Sequence, residues 1–218
     1  MTTRFLIFAV ALLALSGGVA RAQEPRNLDL LKDELRTYVS SGRYAAEIAA
    51  VAAQARAALT ARANAKVAGE RLAVVIDLDE TLLSNLTFMS TEDFGGSDSA
   101  WDAWLLTGQA AVSEPVRAFY EQARQLGVDV YFLTSRKEHL RAATVKNLRA
   151  VGCDTCAGLL LEPEGWKGTA RAFKTGERQR LTQAGHVIIV NLGDQRSDLD
   201  GGYAERAFKL PDPFYLVE

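Results

Sequence analysis

Apolar and polar residues follow three successive patterns along this chain. The first is an unbroken apolar run, "FLIFAVALLAL", at residues 5–15. The second extends from Leu28 to about Lys66, where an Ala-rich stretch is interrupted by "SSGR" at Ser40 to Arg43; it predicts two helices with a break between them. The third starts at Arg71 and alternates short β-prone runs with longer mixed ones: "RLAVVID", "SEPVRAFYEQARQLG", "VDVYFLTS" and "KEHLRAATVKNLRAVG", then "GLLLEP", "HVIIVNLGD" and "AFKLP". Ser113, with Glu114 and Pro115 behind it, predicts a helix start, and Gly127 and Gly152 predict helix ends. Alternation of this kind predicts an α/β fold in which helices cover a parallel central sheet.

Between Ser84 and Val112 the alternation lapses, and "DFGGSDSAWDAWLLTG" separates the first strand from its helix. Insertions at the C-terminal edge of a strand lie where open α/β sheets bind ligands, so residues 84–112 are expected to form a small cap beside a pocket. Residues 28–69 are expected to be a helical segment packed against the sheet, a brace without chemistry.

The first apolar run changes the picture of where the protein works. Arg4 precedes it, and Ser16, Gly17, Gly18 and the triplet Ala20-Arg21-Ala22 follow. This predicts an export signal peptide over residues 1–22, cut after Ala22, and a periplasmic or secreted mature chain, residues 23–218. The run is short for a membrane span, so no stable membrane association is expected after cleavage. Without Arg4 and Arg21 the chain keeps 23 bases against 27 acids, a formal charge of −4, interspersed throughout. No nucleic-acid surface is expected from that balance. At 218 residues, 48% of them apolar, the chain is sized for one domain with a real core.

The only cysteines, Cys153 and Cys156 in "VGCDTCAG", are read as a local disulfide or a pair of free thiols. A zinc site lacks ligands, since His139 and His186 lie far from them in sequence. A thioredoxin-like pair would open a helix after a strand, whereas this one follows a helix.

Three presumed strands end in polar clusters: "DLDET", "LTSR" and "NLGDQRSDLDGG". In a parallel sheet those ends share one edge, which lets Asp77, Asp79, Thr134, Arg136, Asp194 and Asp198 converge. Four converging carboxylates demand a cation, and hard oxygen ligands without His or Cys favour Mg²⁺. A calcium loop fails on spacing, because "DLDETLLSNLTF" lacks Gly at its sixth position and Glu at its twelfth. Phe88, Phe94, Trp101 and Trp104 are candidates either for stacking on an aromatic leaving group or nucleobase or for core packing, the latter preferred for the tryptophans.

Together "VVIDLDETLL", "YFLTSR", "AFKTGERQRL", "NLGDQRSDL" and "FKLPDPFYLV" resemble the haloacid dehalogenase (HAD) superfamily, specifically its subfamily IIIB acid phosphatases, which include class C acid phosphatases and vegetative storage proteins. The resemblance implies a Rossmann-like α/β fold and a Mg²⁺-dependent acid phosphatase acting on small phosphomonoesters. It makes Asp77 the nucleophile that forms an aspartyl-phosphate and Asp79 the general acid/base. It assigns phosphoryl binding to Thr134, to the backbone around Ser135 and to Lys174, with Lys167 the alternative lysine. Arg136 stands in "TSR" where the family pattern has "TGR", and is either a substrate contact or a structural ion pair. The metal would be held by the Asp77 carboxylate, the Asp79 main-chain carbonyl, Asp194 and Asp198, with Gly193 allowing close approach. Asp200 is read as a turn residue, and Glu80 receives no catalytic role. A phosphotransferase and a non-catalytic storage protein of the same fold remain the alternatives; the intact Asp77 argues for activity.

Overall fold

The computed structural model describes residues 24–218; the expected leader lies outside them. Two helices come first, α1 (Leu28–Ser40) and α2 (Arg43–Asn64), separated by Gly42 in a left-handed conformation, φ +77°. Helix α1 buries none of its side chains, whereas α2 buries Tyr44, Ile48, Ala52, Ala55, Ala58 and Leu59. Those positions recur every three or four residues and form one stripe. The small alanines let α2 approach the sheet closely, so it is core rather than appendage.

Strand β1 (Arg71–Ile76) follows, then β2 (Leu83–Ser84), α3 (Leu86–Thr91), α4 (Asp98–Thr107) and β3 (Ala111–Val112). The remainder is α5 (Glu114–Gln125), β4 (Asp129–Lys137), a single 3-10 turn at Glu138–Leu140, α6 (Arg141–Ala150), β5 (Gly158–Glu162), α7 (Ala170–Gln183), β6 (His186–Gly193), α8 (Arg196–Leu199) and β7 (Arg206–Lys209). The central sheet has the order β5-β4-β1-β6-β7 and every pairing in it is parallel. Ser113 precedes α5, but its side chain makes no capping hydrogen bond there.

Successive residues of β1 face opposite layers. Val74 and Ile76 join the large core with α2 and α5, while Val75 packs with Leu133, Phe173, Leu181 and Ile188 under α7. Burial on both faces is why the strand reads as a continuous apolar run. The chain builds outward from β1 through β4 to β5, then returns to place β6 on the other side of β1. This reversal opens a crevice between the carboxyl ends of β1 and β6.

The segment between β1 and α5 closes on itself. Leu83 pairs with Val112 and Ser84 with Ala111 in a two-stranded antiparallel ladder, and α3 and α4 lie between those short strands. Cys153 and Cys156 are both free thiols, and burial raises the thiol pKa of each.

Candidate active site

Asp77 follows β1, and its backbone N–H donates to Leu192 O of β6 at 3.0 Å, which ties the two strands where the crevice opens. The chain then turns tightly: Leu83 N–H donates to Leu78 O at 2.8 Å, and Glu80 takes a positive φ of +53°. A non-glycine residue holds that conformation only when its surroundings compel it. Here Asn85 compels it, donating its backbone N–H to Glu80 Oε1 at 2.6 Å and its side-chain amide to Glu80 Oε2 at 3.0 Å.

Asp77, Asp194 and Asp198, from the ends of β1 and β6 and from α8, converge below the crevice. Each offers a carboxylate oxygen, and these lie within 4.8 Å of one another. Lys174 on α7 is 4% exposed and donates to Asp77 Oδ1 at 2.6 Å and to Asp198 Oδ1 at 2.5 Å. The second oxygen of Asp198 accepts the Gln195 N–H at 2.8 Å in a reciprocal capping arrangement. Asp194 accepts from Thr81 Oγ1 at 2.8 Å and from Gln195 Nε2 at 2.7 Å.

Three buried carboxylates face one buried ammonium, so two negative charges are left over. Burial pushes the Asp77 carboxyl up to about 7 against the pull of Lys174, with Asp198 and Asp79 adding repulsion. Asp194 is raised well above the carboxylate range by burial, then by Asp77 and Asp198. A divalent cation with hard oxygen preference matches both the charge excess and the donor set. The residues present therefore fit such an ion.

Asp79 stands apart from this triad. Arg136 holds it with a two-pronged grip, Nε to Oδ2 at 2.9 Å and Nη2 to Oδ1 at 2.7 Å, and Arg136 also donates to Thr144 Oγ1 at 3.2 Å. Burial opposes ionisation of Asp79, but the Arg136 charge and hydrogen bonds outweigh it and its pKa is lowered. Arg136 thus forms an ion pair with Asp79 and also lines the cavity over the crevice. Thr134, 1% exposed, accepts the Arg136 N–H at 3.1 Å and keeps its hydroxyl proton to give, while Ser135 Oγ is buried without a partner.

Asp77, Asp79, Thr134, Ser135, Arg136, Lys174 and Asp194 floor a cavity of about 690 Å³ lined also by Phe88, Phe94 and Trp101 of the inserted segment and by Phe214 and Tyr215 of the C-terminal segment. Trp101 packs edge-on to Phe88 at the cavity wall, contrary to the preferred core reading. Trp104 is partly buried, donating its indole N–H to Asn85 Oδ1 at 2.7 Å. Lys174 meets Asp77; Lys167 is exposed and does not line the cavity. Asp200 lies outside the acidic triad, its side chain 3.2 Å from Arg171.

Sequence reading gave no role to Asn85, Gln195, Asp212 or Tyr215. Gln195 bridges Asp194 to Asp212 at 2.5 Å, and Val217 N–H returns to Gln195 Oε1 at 3.2 Å. Tyr215 OH donates to Glu80 Oε2 at 3.3 Å. The "PDPFYLV" stretch carried part of the resemblance, but nothing in its pattern shows that it wraps the rim of the crevice. Glu80 is an anchor for the turn and for Tyr215, its carboxyl pushed up to about 8 first by burial and then by Asp79.

Gly193 earns its place by space rather than by dihedral angle. A Cβ there would lie 2.4 Å from Asp198 Oδ2 and 2.5 Å from Asp198 Cβ. Gly193→Ala is therefore expected to displace Asp198 and cost about 1–3 kcal/mol of stability, read as a lower urea midpoint. An unchanged midpoint would mean that Asp198 does not occupy this position.

Fold and site define an α/β protein with a dication-ready acidic crevice at the reversal point of a parallel sheet. The family model for "HAD superfamily, subfamily IIIB (Acid phosphatase)" matches residues 19–218, and the chain belongs to that family. Acid phosphatase 1 of Solanum lycopersicum is 36% identical over 148 residues, 66% of this chain and 58% of that protein. Vegetative storage protein 1 of Arabidopsis thaliana is 35% identical over 147 residues, 66% and 54%. The chain thus spans little more than half the length of these relatives. Among solved structures, the class C acid phosphatase from Bacillus anthracis with tungstate bound aligns with a TM-score of 0.73 at 26% identity, covering 87% of each chain.

Proposed function

We propose that this protein is a Mg²⁺-dependent acid phosphatase that hydrolyses small phosphomonoesters through an aspartyl-phosphate on Asp77. The observation that carries the reading is the arrangement around Asp77: Lys174 holds Oδ1, and no described residue donates to Oδ2. One oxygen of this cavity-lining residue is thereby oriented, which leaves the other free to serve as the nucleophile. The Bacillus anthracis relative is described with tungstate bound, a tetrahedral oxyanion like phosphate, which supports an oxyanion ligand for a protein of this fold.

A phosphoryl group over Asp77 would meet the Thr134 hydroxyl, the backbone and hydroxyl of Ser135, and the Lys174 ammonium. Asp77 Oδ2 attacks phosphorus in line, and the bond from phosphorus to the ester oxygen breaks. Asp79 gives its proton to the departing oxygen, then takes one from the water that attacks the aspartyl-phosphate and frees Asp77. A phosphoryl anion beside Asp79 raises its proton affinity and opposes the effect of Arg136. Asp77, Asp194, Asp198 and the Asp79 main-chain carbonyl would hold Mg²⁺, whose charge balances the carboxylates and the phosphoryl oxygens in the transition state.

Export to the periplasm or outside is part of the proposal, supported by the leader pattern at residues 1–22. Among the described residues no helix is long and apolar enough to cross a membrane. Turnover of p-nitrophenyl phosphate is expected to vanish with EDTA and return with excess Mg²⁺. Turnover indifferent to EDTA would overturn the metal assignment. No hydrolysis of any phosphomonoester with Mg²⁺ present would favour the storage role named for the Arabidopsis relative, and phosphoryl transfer to added glycerol would mark a phosphotransferase.

A further inference from the structure

We infer that Lys32 and Arg36 of α1 are positioning residues that hold Phe94 in the cavity wall through Asp93, and thereby set the affinity for the organic part of the phosphomonoester. The inference rests on the reading of this cavity as the substrate site and goes beyond it. Helix α3 ends in a left-handed turn: Phe94 N–H donates to Met89 O at 2.7 Å and Asp93 N–H to Ser90 O at 3.4 Å. A helix end of this kind usually has glycine at the position that Asp93 occupies. Here two consecutive residues with side chains take positive φ instead, Asp93 at +51° and Phe94 at +54°. Left-handed backbone at a residue with a Cβ persists only where its surroundings hold it.

Two contacts hold it. Lys32 Nζ donates to Asp93 Oδ2 at 2.7 Å and Arg36 Nη2 donates to Asp93 Oδ1, so two bases one helical turn apart each take one oxygen. Arg36 is itself steadied by Asp33 at 2.5 Å. The Phe94 ring stacks on Phe214, with 5.7 Å between centroids and 13° between planes, and Phe214 meets Tyr44 of α2 edge-on at 5.2 Å. Phe94 and Phe214 both line the cavity. A helix that buries none of its own side chains is thus tied to the cavity wall. Exposed ion pairs add little to the stability of a whole fold, but a turn that carries its own conformational cost is a small enough element for them to decide. With the clamp broken the turn relaxes part of the time, and the apparent affinity falls with the fraction of molecules in which Phe94 stays in place.

Kinetics of the full chain with Mg²⁺ separate this role from a merely structural one. Asparagine has the shape of aspartate and tolerates the left-handed backbone, so Asp93→Asn isolates the charge and is expected to leave the urea midpoint in place. Asp93→Asn and the double variant Lys32→Ala/Arg36→Ala are each expected to raise KM for p-nitrophenyl phosphate about fivefold with kcat unchanged. The inhibition constant of inorganic phosphate, which has no organic part, is expected to stay as it was. Phe94→Ala is expected to raise KM at least as much, and adding Asp93→Asn to it or to the double variant to raise KM no further, because all act through one ring. An unchanged KM in Asp93→Asn or in Phe94→Ala, effects that multiply on combination, or an equal rise in the phosphate inhibition constant would each overturn the inference and leave the phosphatase reading standing. Absence of hydrolysis by the unsubstituted chain would overturn that reading, and the inference with it.

Discussion

Asp77→Asn is expected to abolish hydrolysis of p-nitrophenyl phosphate, with a loss of about 10⁴-fold or more, about 5 kcal/mol of barrier. The amide keeps the shape of the side chain and still accepts from Lys174, but its nitrogen is no nucleophile toward phosphorus. The fold is expected to survive, because the substitution removes one of the two excess negative charges of the triad. In the EDTA-treated protein it should even help. The Asp77 carboxyl is raised from 3.8 to about 7 in the folded chain, so between those values the folded state binds more protons than the unfolded one. Stability then falls as pH rises through that window and levels off above about 7. Metal-free Asp77→Asn should escape this part of the fall in a urea titration. Full retention of turnover would sink the assignment of Asp77.

Lys174→Met is expected to have the second largest effect, on activity and stability together. Lys174 touches two of the three carboxylates and no other described cation reaches them. Without it the phosphoryl group loses a charged donor in a buried setting, where removal of one such donor costs about 10²–10³ in kcat. Breaking a buried ion pair by deleting one partner costs about 3–5 kcal/mol. That loss should be largest in EDTA near neutral pH and smaller in acid, where the carboxylates take up protons instead. Both arms are read from urea midpoints alongside p-nitrophenyl phosphate turnover. Unchanged metal-free stability near neutral pH would show that the triad does not depend on this ammonium.

The strand ends were readable because a parallel sheet imposes a simple rule: apolar runs buried on both faces must stop where polar ligand-binding groups begin. Asp77, Asp194 and Asp198 each stand within a few residues of such a stop, and the structure gathers their carboxylates. The choice between Lys174 and Lys167 had no such rule. They lie seven residues apart in polar sequence, and the packing of α7 against β4 and β6 sends one side chain inward and leaves the other outside. Arg136 was equally open, since either role needs the same guanidinium; the two-pronged grip on Asp79 depends on the relative placement of β1 and β4. Trp104 packs against the large core, as preferred, whereas Trp101 lines the cavity, because burial alone does not distinguish a cavity wall from a core.

Local chemistry was enough for the alternating layers, the interrupted segment after β1 and the acidic residues at the crevice, because each follows from periodicity, turn residues or charge within a few positions. Three-dimensional packing was needed for everything carried by a pair of distant residues. Asn85 reads Trp104, Gln195 ties Asp194 to Asp212, and Tyr215 reaches Glu80 across the whole domain. A hydrogen bond specifies distance and direction in space and leaves no period in the sequence. Which oxygens of the crevice are occupied, and which remain free to react, is therefore set by how the elements pack.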